Sequence, residues 1–93
     1  MKLLEALPPH LADTPETRTA RARYAHAVEN CDRDLGLVRA AVKAHLPDNT
    51  VFVFTSDHGA QFPFSKWNRY ERSLRVPFIV SWPGQIVPNQ RTE

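Results

Sequence analysis

Seven apolar residues in one stripe decide how about a third of this 93-residue chain can fold. Tyr24, Val28, Cys31, Leu35, Val38, Val42 and Leu46 follow one another at spacings of 4, 3, 4, 3, 4 and 4, the period of one face of an α-helix. The opposite face carries Arg23, His26, Asn30, Arg33 and Lys43. The spacing predicts a single long helix over residues 15–46. Its start is written in Asp13-Thr14-Pro15-Glu16: Asp13 or Thr14 can cap, Pro15 suits the first helical position, and Glu16 favours the positive end of the dipole. Pro47 ends it and Asp48-Asn49 makes the turn. Gly36 inside the helix costs about 1 kcal/mol relative to Ala, which predicts close backbone packing there. Cys31, within the stripe, reads as a buried small hydrophobe rather than a nucleophile.

Before the helix, residues 1–14 hold Pro8-Pro9 and no sustained period, so an extended lead-in is expected. After it, Thr50-Val-Phe-Val-Phe-Thr55 is β-branched and aromatic, apolar on both faces and too short for a helix. Such a strand belongs inside a sheet covered on both sides, which predicts an α/β fold with a buried parallel strand over 50–55. Residues 56–75 read as an irregular loop. A second strand is expected over Val76 to Trp82, with Trp82-Pro83-Gly84 as a turn and Gln85 to Val87 as a short further strand. One long helix and two or three strands leave a sheet face bare and an edge unpaired, so the sequence reads like a piece of a larger α/β domain.

Composition narrows the function classes. Apolar residues at 42% and charged residues at 24% are ordinary globular usage, which argues against wholesale disorder. A net charge of +2 gives no electrostatic case for nucleic acid. A single Cys excludes an internal disulfide framework and a multi-Cys zinc site. The longest strictly apolar run, Val51 to Phe54, is far short of the ~20 residues of a membrane span. No charged start followed by an apolar stretch appears, so no signal peptide is expected in this sequence.

Candidates for chemistry cluster after the first strand. Ser56-Asp57-His58-Gly59 stands at its carboxyl end, where open α/β sheets bind ligands. A carboxylate and an imidazole there can face one cation, with Gly59 letting the backbone turn behind them. An ordinary loop with a capping Asp and a solvated His is the competing interpretation. Lys66 lies among Phe62, Phe64, Trp67 and Tyr70; it can serve as a point charge for an oxyanion or pack its stem on Trp67. Tyr70-Glu71 and Arg75 suggest a structural ion pair. Asp32 and Asp34, and Arg18, Arg21 and Arg23, read as solvated helix surface, and His10, His26 and His45 lack partners at ligand spacing.

In order, Asp48 to Gly59, Lys66, Tyr70-Glu71, Arg75-Val76-Pro77 and Trp82-Pro83-Gly84 resemble the type I sulfatase family, whose long helix before the metal-binding strand also matches Asp13-Thr14-Pro15, Arg18, Tyr24 and Asp32 to Gly36. The resemblance runs from about Leu11 to Val87, and the Phe62 to Lys66 loop looks most like the heparan N-sulfatase (sulfamidase) branch. It implies part of an alkaline-phosphatase-like sandwich that hydrolyses a sulfate ester or sulfamate, often on a carbohydrate, in proteins commonly periplasmic, secreted or lysosomal. Asp57 and His58 then match paired ligands of a divalent cation, usually calcium, and Lys66 matches the lysine that contacts sulfate. His at the second ligand position, where many members have Asn, offers nitrogen in place of a hard oxygen. Family members use a formylglycine made from Cys/Ser-x-Pro-x-Arg. Cys31-Asp-Arg-Asp-Leu35 lacks that Pro and Arg, and an Asp-Asp metal pair is also missing, so this chain by itself is expected to be inactive. A phosphatase or phosphonate hydrolase of the same superfamily, or a non-catalytic interaction module, are the alternatives.

Overall fold

The computed structural model describes residues 7–92. Its elements, in chain order, are α1 (Pro15–His45), β1 (Phe52–Thr55), α2 (Glu71–Leu74) and β2 (Phe78–Ser81). The chain divides into two units, Met1–His45 and Leu46–Glu93. The lead-in expected over residues 1–14 is irregular from residue 7 onward; residues 1–6 lie outside the described part.

The first unit is α1. Thr14 is its cap: the Thr17 amide donates to Thr14 Oγ1 at 3.1 Å, occupying one of the donors that a helix start leaves free. From the first turn of the helix, the Arg18 guanidinium forks back onto the Asp13 carboxylate through Nε at 2.6 Å and Nη2 at 2.7 Å. That pairing holds the Asp13 carboxyl below its ordinary value and raises the Arg18 guanidinium, chiefly through the hydrogen bonds and then through charge. Glu16 in the first turn and Lys43 and His45 in the last complement the helix dipole.

The apolar stripe forms as expected, but only Leu35 and Val42 of its seven residues are half-buried and the others are exposed. No residue of α1 is buried, and Cys31 is exposed, which corrects its assignment as a buried hydrophobe. A Cβ added at Gly36 would meet nothing within 4 Å, so no close packing explains that glycine. Periodicity fixes which residues share a face; whether the face is covered depends on another layer.

In the second unit, β1 and β2 pair antiparallel in a two-stranded sheet, with Phe52 opposite Ser81, Val53 opposite Val80, Phe54 opposite Ile79 and Thr55 opposite Phe78. The expected buried parallel strand is therefore corrected in direction and in burial. Apolar residues on both faces report an affinity for cover, not strand direction. Residues 56–77 contain only the single turn α2, and they fold back to the same end of β1 instead of crossing over the sheet. Phe52 and Phe54 are half-buried while Val51 and Val53 remain exposed. The mixed helix-and-strand content is compatible with part of an α/β domain.

The turn after β2 forms with Pro83 at its second position and Gly84 at its third, φ +77°, the type II arrangement. The Gln85 and Ile86 amides both donate to the Trp82 carbonyl, so Gln85 to Val87 continues the turn and is not a strand. Trp82 Nε1 donates to Asn49 Oδ1 at 2.8 Å, tying the residue after β2 to the turn that precedes β1. Among the described residues no apolar side chain is buried; the two that are buried are Ser65 and Ser73. The buried side chains of this unit therefore belong to the loop between the strands and are polar.

Candidate functional site

The loop leaves β1 at Thr55 and turns through side chain to backbone bonds. Ser56 Oγ donates to the His58 carbonyl at 2.9 Å, and the His58 amide donates to Asp57 Oδ1 at 3.0 Å. The second bond uses Asp57 Oδ1 and leaves Oδ2 outside the hydrogen bonds of the turn. His58 Nδ1 lies 2.8 Å from the Gly59 carbonyl, which can only accept, so Nδ1 carries the proton. In the neutral ring Nε2 is then a lone pair, and it faces Asp57 Oδ2 at 3.2 Å. Two lone pairs at that distance repel unless a proton or a cation lies between them. Asp57 is largely exposed and His58 partly so, which leaves the pair open to solvent ions.

Gly59 explains why this turn holds. Its amide donates to the Ser73 carbonyl at 2.9 Å, and a Cβ built on it would come within 1.9 Å of the Arg72 carbonyl oxygen and 2.5 Å of Ser65 Oγ. The need is for close approach to α2 rather than for a left-handed backbone. Ser65 Oγ donates to that same Arg72 carbonyl at 3.0 Å, which accounts for its burial. The α2 turn is closed by Arg75 N donating to the Glu71 carbonyl at 2.7 Å. Among the described residues no side-chain ion pair joins Glu71 and Arg75, so their expected pairing is corrected to this backbone bond.

Lys66 is tied to the same loop. Its amide donates to the Ala60 carbonyl at 3.2 Å, closing the segment that begins just after Gly59. Its carbonyl accepts from Asn68 Nδ2 at 3.2 Å, while Asn68 Oδ1 accepts the Tyr70 amide at 3.0 Å. The Lys66 ammonium sits 5.0 Å from the centroid of the Trp67 ring. Phe64 and Trp67 both take left-handed backbone, φ 62° and 64°, and the Phe64 ring meets Tyr70 edge-on at 5.3 Å.

Asp57 and His58 are thus brought together, and the Lys66 backbone is anchored on Ala60, two residues past His58. Among the described residues no three His, Cys, Asp or Glu side chains gather as a metal group. His26 makes only an exposed contact with Glu29, Nδ1 to Oε2 at 3.7 Å, and Arg21 lies over the Tyr24 ring at 5.8 Å. The sequence did not disclose α2 or the buried Ser65 and Ser73. The Asn68-Arg69-Tyr70 spacing carries a detectable signal, because Asn bonding to the amide two residues on is an Asx turn.

The sulfatase family model matches residues 7–93. The chain belongs to the sulfatase family. It is 38% identical over 88 residues to a steryl-sulfatase from Rattus norvegicus, an alignment covering 75% of this chain and 15% of that protein. It is 40% identical over 68 residues to an ulvan-active sulfatase from Formosa agariphila, covering 66% and 13%. An arylsulfatase from Clostridium perfringens is 32% identical over 79 residues, covering 80% and 16%. The chain therefore spans about one seventh of the length of these sulfatases. No solved structure gives a significant match. No helix among the described residues is long and apolar enough to cross a membrane.

Proposed function

We propose that this chain forms the cation- and sulfate-binding segment of a sulfatase catalytic domain, acting on a sulfate ester or sulfamate of a carbohydrate. The observation that carries it is the Asp57 Oδ2 and His58 Nε2 pair, 3.2 Å apart, at the end of β1 in a chain of this family. Family membership puts the phosphatase and interaction-module alternatives behind.

In this proposal Asp57 and His58 hold one divalent cation, with calcium as the family's usual ion. When bound, the cation acts as a Lewis acid toward a sulfuryl oxygen. Asp57 gives a hard oxygen and His58 a borderline nitrogen, so manganese or zinc competing better than calcium is a measurable outcome. The two residues supply fewer than the 6–8 donors that calcium takes. The Nδ1 proton on the Gly59 carbonyl fixes the tautomer that presents Nε2, the supporting bond that metal-binding histidines require. Lys66 holds the sulfate as a point charge, donating to the oxygens that gain charge as the S–O or S–N bond breaks. The sulfamidase branch is the finer proposal, resting on the Phe62 to Lys66 loop; the relatives named above carry no sulfamate in their names.

Titrating the full chain with Mn2+ and reading amide line broadening tests the ligand pair. Broadening is expected at Asp57, His58 and Gly59 and is lost in Asp57→Asn; uniform broadening that survives that substitution overturns the assignment. The chain alone is expected to leave an aryl sulfate intact with or without calcium, because it encodes no Cys/Ser-x-Pro-x-Arg nucleophile. Appreciable turnover would sink that expectation.

A further inference from the structure

We propose that Trp67 is a positioning residue whose indole holds the Lys66 ammonium ready for a sulfate group. The inference rests on the assignment of Lys66 to sulfate. Trp67 is 80% exposed and sits at φ 64°. A bulky side chain in left-handed backbone costs conformational energy, and exposure to water returns nothing for burying the ring. What the conformation does achieve is a cation–π contact, with Lys66 Nζ 5.0 Å from the ring centroid.

The rest of Lys66 is already fixed at both ends of its peptide unit, by its amide on the Ala60 carbonyl and by its carbonyl on Asn68 Nδ2. The indole therefore restrains the one part left free, the long side chain. A lysine stem loses much rotamer entropy when it is immobilised, and a stem restrained before the ligand arrives avoids that loss on binding. An ammonium lying on a π face still has N–H donors directed away from the ring, and those donors can receive sulfate oxygens. Phe64 against Tyr70 and the Asn68 turn hold the base of the loop in place, so Trp67 acts through Lys66 and not by touching the anion itself.

The test uses the full chain, with backbone amide shifts followed while sodium sulfate replaces sodium chloride at constant ionic strength. Trp67→Leu keeps the backbone penalty and removes the π face. Trp67→Gly removes both, and Trp67→Phe keeps a π face. Trp67→Leu and Trp67→Gly are each expected to weaken the sulfate response at Lys66 roughly fivefold, the scale of one cation–π contact, and Trp67→Phe to restore most of it. A merely structural tryptophan would move thermal stability instead, with Trp67→Gly and Trp67→Leu changing it in opposite directions and sulfate affinity unchanged. Equal affinity in the wild type and Trp67→Leu overturns the inference alone, provided that Lys66→Met abolishes the response. A Lys66→Met response equal to the wild type, or no saturable response in the wild type, overturns the sulfate assignment and the inference with it.

Discussion

Helix α1 and the loop of residues 56–75 reach order by opposite routes. In α1 every stabilising contact given above is local: a cap three residues away, a fork between Asp13 and Arg18, and backbone bonds one turn apart. Its apolar face is complete, yet none of its residues is buried. The loop has little regular structure, yet it holds both buried side chains, and its bonds join Gly59 to Ser73, Ser65 to Arg72 and Lys66 to Ala60. Pattern alone makes the helix, whereas the loop depends on particular atoms at particular places. In the loop a single added carbon should destabilise; in α1 it should not.

One substitution breaks or sharpens that contrast most directly, because it carries opposite signs in the two regions. Gly59→Ala places a Cβ 1.9 Å from the Arg72 carbonyl oxygen, a backbone atom that moves only if α2 moves. Overpacking of this kind typically costs about 1–3 kcal/mol. Amide exchange at Gly59 and Ser73 should accelerate while the far-UV signal of α1 is kept. Gly36→Ala meets nothing within 4 Å in mid-helix and should stabilise α1 by about 1 kcal/mol, read as higher helicity and a higher melting temperature. If both changes act with the same sign, the distinction between a pattern-made helix and an atom-made loop fails.

The same contrast sets what could be read in the sequence. The stripe from Tyr24 to Leu46 predicted a helix over 15–46, and α1 ends one residue earlier, because a 3.6 period is a property of the chain itself. Ser56-Asp57-His58-Gly59 was legible as a turn at the end of β1 because Asp, His and Gly stand together directly after the strand pattern. Strand direction was not legible, because Val51 to Phe54 looks alike in either orientation and only the path of residues 56–77 decides it. Burial at Cys31 failed for a related reason: position on a stripe is local, but cover comes from elsewhere. Glu71 and Arg75 had the spacing of an ion pair, yet their backbones met instead, since one helical turn satisfied the closer atoms first.

A smaller effect is expected at the start of α1. Thr14→Ala removes the oxygen that accepts the Thr17 amide, and an exposed cap of this type contributes about 0.5–1 kcal/mol. Circular dichroism should show lost helicity, and Thr14→Ser or Thr14→Asp should recover it. Amide exchange at Gly59 and Ser73 should stay unchanged. Transmission of the loss to those residues would mean that the stabilities of the loop and of α1 are coupled.

The smallest effect is electrostatic and concerns the pair beside that cap. Arg18 holds the Asp13 carboxyl below its ordinary value of 3.8, first through hydrogen bonds and then through charge. A depressed carboxyl stabilises the folded helix above its unfolded value, and the contribution is lost as pH falls through the lowered value. The first turn of α1 should therefore be better ordered in the wild type than in Asp13→Asn above about pH 5, and the wild type should lose that advantage as pH falls through the lowered Asp13 value, converging on Asp13→Asn. Added salt should shrink the difference, since both side chains are exposed and exposed charges are screened. Equal acid fraying in both proteins would assign the first turn to Thr14 and Pro15 alone, and would remove the Asp13–Arg18 fork from the account of how α1 begins.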